Sequence, residues 1–148
     1  MTTEYRSATP TDLPEVRALA ADCALPVDDL TEALLRYFVL ARERGRLVGV
    51  AGLELVGGEG LLRSLAVAAN HRGRGIGERL CDEAEAAACN LGLQRLYLLT
   101  TTAAAYFAQR GFRRIERSAI PLALQQTAEF SHLCPASAVC MEKKLREG

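Results

Sequence analysis

The chain has 148 residues, the size of one domain, and a folded chain of that length buries roughly two-thirds of the surface its unfolded form exposes. Lys plus Arg and Asp plus Glu cancel at 18 each, which excludes a global field that would draw the protein to nucleic acid or an anionic membrane, so any anion site is local. There is no apolar run near the roughly 18 residues of a spanning helix and no apolar leader, and the five cysteines form no CxxC pair, so the expectation is a soluble, cytoplasmic, single-domain protein with buried free thiols.

Residues 5–8 read as a short strand. Thr11 can cap a helix with Pro14 in its first turn and Leu13, Val16, Leu19 and Ala20 at helical spacing. A second helix is expected over 28–37. Segments 38–43, 47–56 and 61–67, separated by Arg44-Gly45-Arg46 and Gly57-Gly58-Glu59-Gly60, have the pattern of an antiparallel meander. A glycine-rich turn then opens a helix with Ile76, Leu80, Ala84, Ala87 and Leu91 on one stripe, stopped by Asn90 and Gly92. Residues 95–100 read as a buried strand, 102–110 as a helix ended by Gly111, 112–117 as a strand, 121–130 as a short helix or loop, and 138–143 as a last strand. The sum is a mixed α/β sheet of about seven strands with helices on both faces.

The turn His71-Arg72-Gly73-Arg74-Gly75-Ile76-Gly77 follows a strand and starts a long helix, where free backbone N–H groups converge on an anion. A Walker loop needs Lys-Ser/Thr after its last glycine, and Glu78-Arg79 stands there. A dinucleotide fingerprint needs glycine where Glu78 is, and it needs a parallel βαβ unit in place of a meander. A glycine-rich connection without a ligand is the plain structural alternative.

Residues 65–77, Leu-Ala-Val-Ala-Ala-Asn-His-Arg-Gly-Arg-Gly-Ile-Gly, resemble the central motif of GNAT acyltransferases, in which R/Q-x-x-G-x-G/A follows a strand written L-A-V. The resemblance implies a GNAT fold, mostly antiparallel with a splayed parallel pair in the middle of the sheet. It implies acetyl-CoA as acyl donor, its diphosphate on Arg72, Gly73, Arg74, Gly75, Ile76, Gly77 and Glu78, and its pantetheine arm along Leu65, Ala66 and Val67. A homodimer through the C-terminal strands is also implied.

Residues 98–112 resemble the acetyltransferase domain of N-acetylglutamate synthases, with a threonine run and an aromatic-Phe pair. Residues 61–67 and 127–141 resemble GNAT proteins of bacterial arsenic-resistance operons. Both point to a small acceptor with an α-amino group, an amino acid or an arsenic-containing analogue.

Acyl transfer to an amine requires a proton acceptor. Glu54, in an otherwise apolar strand, is the candidate base; an outward or salt-bridged strand residue is its alternative role. The family's usual phenolic acid is absent, because Phe107 stands at its position and Tyr106 lies about 100° away around the helix. Tyr106 is the substitute acid or a packing residue. Arg63 is the candidate for an acceptor carboxylate, which a guanidinium binds bidentately, or else a strand arginine. Ser64 and Thr101 offer hydroxyl contacts, and Cys134 is placed to line the acceptor pocket. His132, Cys134 and Cys140 invite a metal or arsenic-thiolate reading, but the alternation around Cys140 favours a core position, and no metal is expected.

The reading is direct transfer of acetyl from acetyl-CoA to the primary amine of a small carboxylate-bearing acceptor. A protein N-terminal or lysine acetyltransferase and a non-catalytic acyl-CoA sensor are the rivals.

Overall fold

A computed structural model describes residues 2–128, 130 and 137–145. Its seven-stranded sheet runs β1 (Glu4–Ser7), β2 (Phe38–Glu43), β3 (Arg46–Val56), β4 (Glu59–Val67), β5 (Arg95–Thr100), β7 (Val139–Lys144) and, at the far edge, β6 (Arg113–Arg114). All neighbours are antiparallel except β4 and β5. The expected mixed sheet with one parallel pair is thus present.

Helix α1 (Leu13–Asp22) covers one face and α2 (Ile76–Asn90) the other. The period of two along β3 decides which residue meets which helix. Val50 packs with Val16 and Leu19 of α1, while Gly49 and Ala51 meet Ile76 and Leu80 of α2. Each such aliphatic side chain, once buried, contributes about 1.5–3 kcal/mol. Two further short helices among the described residues are α3 (Ala104–Gln109) and α4 (Leu122–Gln125).

Four sequence expectations need correction. The helix over 28–37 shrinks to a 3-10 turn, Ala33–Tyr37. Upstream of it Asp29 is tied to Arg63 and Leu30 is buried, so tertiary contacts override local helical preference. The strand over 112–117 shortens to two residues because Phe112 turns into the core and another 3-10 turn begins at Arg117. The buried stripe of α2 runs through Ile76, Leu80, Cys81, Ala84 and Ala88; Ala87 is only half-buried and Leu91 is exposed. Thr11 caps neither element at the first helix: Asp12 is the N-cap of α1, and Thr9, whose amide donates to Asp12 Oδ2 at 2.7 Å, is the N-cap of the 3-10 turn Pro10–Asp12 that precedes it.

No helix among the described residues is long and apolar enough to cross a membrane.

Candidate active site

Strands β4 and β5 are paired only at Gly60 with Leu96 and Leu61 with Tyr97. Beyond that point they part, and a cleft of about 1110 Å³ opens between them. Leu62 to Val67 form one wall and Leu98 to Thr101 the other, with the glycine turn at one end. A parallel pair that separates leaves backbone N–H and C=O groups facing open space, where an extended ligand can take the ladder's place.

The wall on β4 is also kinked. Register partners Val50 with Ala66 and Gly52 with Arg63 leave Ala51 opposite two residues, Ser64 and Leu65. This is a β-bulge, and Ser64 carries its strain at φ +58°. A left-handed non-glycine residue in a strand costs on the order of 1–3 kcal/mol and persists where the surrounding structure enforces it. The extra residue of a bulge interrupts the ladder, and here the interruption falls at Ser64 and Leu65, on the wall of the cleft.

At the other end, Gly75 is the N-cap of α2 at φ +82° and supplies no side-chain cap. The first-turn amides of α2 therefore lack an internal partner. A Cβ at Gly73 or Gly75 would meet nothing within 4 Å, so the backbone there is open on its outer side. The turn is braced from behind by Glu43, half of β2's last pair: Glu43 Oε1 lies 3.2 Å from His71 Nε2, and Thr3 Oγ1 donates to Oε2 at 2.8 Å. Arg72 folds back over the strand end, donating through Nε to the Val67 carbonyl at 3.1 Å and through Nη2 to Cys23 Sγ at 3.4 Å. The turn thus presents amides, open glycines and a guanidinium at one cleft end, a donor set that suits a diphosphate.

Of the residues singled out in the sequence, Arg63, Ser64, Leu65, Ala66 and Val67 line this cleft. So do Arg72, Gly73, Gly75, Ile76, Gly77 and Glu78, and across from them Thr101 and Tyr106. Arg74 is not among the lining residues; its Nη1 is 3.9 Å from Glu43 Oε2. Glu54 also stands outside the lining, and its Oε1 accepts a hydrogen bond from Arg63 Nη1 at 3.0 Å. Cys134, like His132, lies outside the described residues. Cys140 faces the core beside Leu61, Tyr97 and Leu124. Among the described residues there is no cluster of His, Cys, Asp and Glu able to hold a metal.

Tyr106 reaches the cleft from α3, but its hydroxyl is buried beside the Cys81 thiol and makes no well-formed hydrogen bond among the described residues; a Cβ on Gly77 would be 3.8 Å from it. Burial, with the Cys81 thiol as a polar neighbour, pushes the phenol up to about 12. Phe107 turns inward and packs edge-on against Phe112 with centroids 5.6 Å apart. Cys23, Ala24, Leu25 and Pro26, which close the cleft from the segment after α1, are not marked out in the sequence. That segment has neither periodicity nor a motif that would place it there. Asp29 was missed for the same reason.

The sequence model of the acetyltransferase (GNAT) family matches residues 3–112. The chain belongs to that family. GNAT members draw the acetyl group from acetyl-CoA. Among curated relatives, an amino-acid acetyltransferase of Ralstonia nicotianae is 38% identical over 85 residues, 56% of this chain and 19% of the relative. This GNAT chain therefore spans about a fifth of that protein's length. Among solved structures, N-acetylglutamate synthase from Neisseria gonorrhoeae, complexed with coenzyme A and N-acetyl-glutamate, superposes with a TM-score of 0.86 at 22% identity. It covers 99% of this chain and 36% of that one. Rv2747 from Mycobacterium tuberculosis, in complex with CoA, gives a TM-score of 0.82 at 24% identity, covering 97% of this chain and 99% of that one. At these identities the structural likeness speaks to the fold.

Proposed function

We propose that this GNAT domain moves an acetyl group from acetyl-CoA to the primary amine of a small, carboxylate-bearing acceptor. The observation that carries the reading is the parting of β4 and β5 after two paired residues, with the bulge on one wall and the uncapped helix start at the end. The diphosphate is assigned to the amides of Gly73 to Glu78 with Arg72, and the pantetheine arm to the free edge of Leu65 to Val67. The thioester carbonyl then falls at the bulge, where an amide of Ser64–Leu65 supplies an oxyanion donor.

In the reaction the acceptor nitrogen attacks the thioester carbon, a C–N bond forms, the C–S bond breaks, and coenzyme A leaves as thiolate. The nitrogen's surplus proton must go to a base. Glu54 is proposed for that role through water, because its Oε1 is held by Arg63 while Oε2 has no hydrogen-bond partner among the described residues. Holding donor and acceptor in one cleft supplies most of the rate. Thiolate departure does not use Phe107, and the buried Tyr106 hydroxyl is at the diphosphate end of the cleft.

An amino-acid acceptor is favoured by the relative named above and by Arg63, a buried guanidinium beside Ser64 on the cleft wall. Acetylation in resistance to arsenic-containing amino acids belongs to the same proposal. The test is coenzyme A release from acetyl-CoA with free amino acids, their arsenic- and phosphorus-containing analogues, polyamines and peptides. Release with amino acids or their analogues and not with peptides supports the reading.

A further inference from the structure

Arg63 is fully buried at its side chain, yet its donors are already engaged. Nη2 donates to Asp29 Oδ1 at 2.7 Å and Nη1 to Asp29 Oδ2, a bidentate pair on one edge of the guanidinium. Nη1 also donates to Glu54 Oε1, and Nε to Ser64 Oγ at 3.2 Å. Among the described residues this one cation is thus met by two carboxylates before any substrate arrives. A third carboxylate beside a buried guanidinium would be repelled and left partly unpaired.

The two resident carboxylates differ in how firmly the fold holds them. Glu54 is inside β3, held opposite Leu61 of β4 by register. Asp29 is on the 23–32 segment, which contains no helix or strand. The backbone there is anchored next door, by buried Leu30 and by Arg17 Nη1 donating to the Leu30 carbonyl at 2.9 Å. The Asp29 side chain is 18% exposed and so already borders solvent, unlike the guanidinium it holds. Cys23 to Pro26 of the same segment already line the cleft.

We propose that Asp29 is an internal competitor for the acceptor's carboxylate, seated on the bidentate edge of Arg63 and displaced when a carboxylate-bearing acceptor binds. The exchange replaces one carboxylate with another, so the charge around Arg63 is unchanged. Asp29 thereby sets specificity: weak or wrongly shaped acids do not dislodge it, and amines without a carboxylate draw nothing from Arg63. The inference rests on the reading of Arg63 as the acceptor's carboxylate site.

The test compares the wild type with Asp29→Asn, Asp29→Ala and Asp29→Glu, measuring KM and kcat at saturating acetyl-CoA. The acceptors are the twenty amino acids and their α-carboxamides. Removing the competing charge in Asp29→Asn and Asp29→Ala lowers KM for a free amino acid by about tenfold, the scale of one charge-assisted hydrogen bond. KM for the matching carboxamide and for acetyl-CoA stays within about twofold, and Asp29→Glu keeps wild-type behaviour. A purely structural role for Asp29 would raise KM for acid and carboxamide alike, and that result overturns the proposal. Wild type that acetylates amino acids with KM unchanged in Asp29→Asn and Asp29→Ala overturns the exchange alone. Wild type and both variants that accept carboxamides as readily as acids overturn the Arg63 reading and the exchange with it.

Discussion

Phe38 occupies the space beside Gly52: a Cβ built on that glycine would stand 2.3 Å from Phe38 Cζ. Gly52 is also the register partner of Arg63, the residue on β4 that precedes the bulge. The close approach of ring and strand therefore sets the backbone from which the cleft wall bends.

Gly52→Ala forces the Phe38 ring, which is 1% exposed, out of a packed site. Overpacking of this kind costs about 1–3 kcal/mol. Urea unfolding should show the midpoint falling with the slope unchanged, since the loss is in the native state.

Gly75→Ala tests the anion site separately from the core. Its added methyl meets no protein atom, so the cost to stability is the left-handed backbone alone, roughly 1–2 kcal/mol. The methyl also occupies the outer side of the turn, where the diphosphate is proposed to sit. The expected result is a rise in KM for acetyl-CoA of about tenfold or more with KM for the acceptor unchanged.

Arg72→Gln should weaken acetyl-CoA binding more modestly, about three- to tenfold, because the guanidinium is exposed and its pairing is screened. The loss should shrink as salt is raised, which titration calorimetry at two ionic strengths would read. An equal loss at both would mean that Arg72 acts by bracing Val67.

The fold was legible where periodicity is long and glycine marks the turns. The meander, α2 and the buried β5 follow from alternation and from the 3.6-residue repeat, and the turn that opens α2 from its three glycines. Legibility failed where a single tertiary contact decides. Nothing in residues 28–37 signals that Asp29 reaches a residue 34 positions away on β4, so the segment has the look of a helix in the sequence. Glu54 shows the same limit: an acid in an apolar strand was visible, its partner Arg63 was not. The shift from Ala87 to Ala88 on α2 reflects two alanines that differ only in angle around the helix.

Burial pushes the Cys81 thiol up from 9.0 to about 11. Below pH 9 the thiol is neutral folded or unfolded; above it the unfolded chain ionises first. Stability that is fully present below pH 9 is therefore lost between about pH 9 and 11, by up to about 1.4 kcal/mol per pH unit for one such group. Cys81→Ala should flatten that part of the pH–stability curve measured by chemical unfolding. At pH 8, thiol alkylation should spare Cys81 and label the half-buried Cys23 at the cleft, with acetyl-CoA protecting Cys23.

The most direct test of the central claim is a coenzyme A release assay with acetyl-CoA and a panel of free amino acids, arsenic- and phosphorus-containing analogues, polyamines and peptides, with Glu54→Gln alongside. The account predicts turnover on small carboxylate-bearing amines, with kcat lowered in Glu54→Gln and KM for acetyl-CoA unchanged. Acetyl-CoA binding with no coenzyme A released above background for any amine would contradict it.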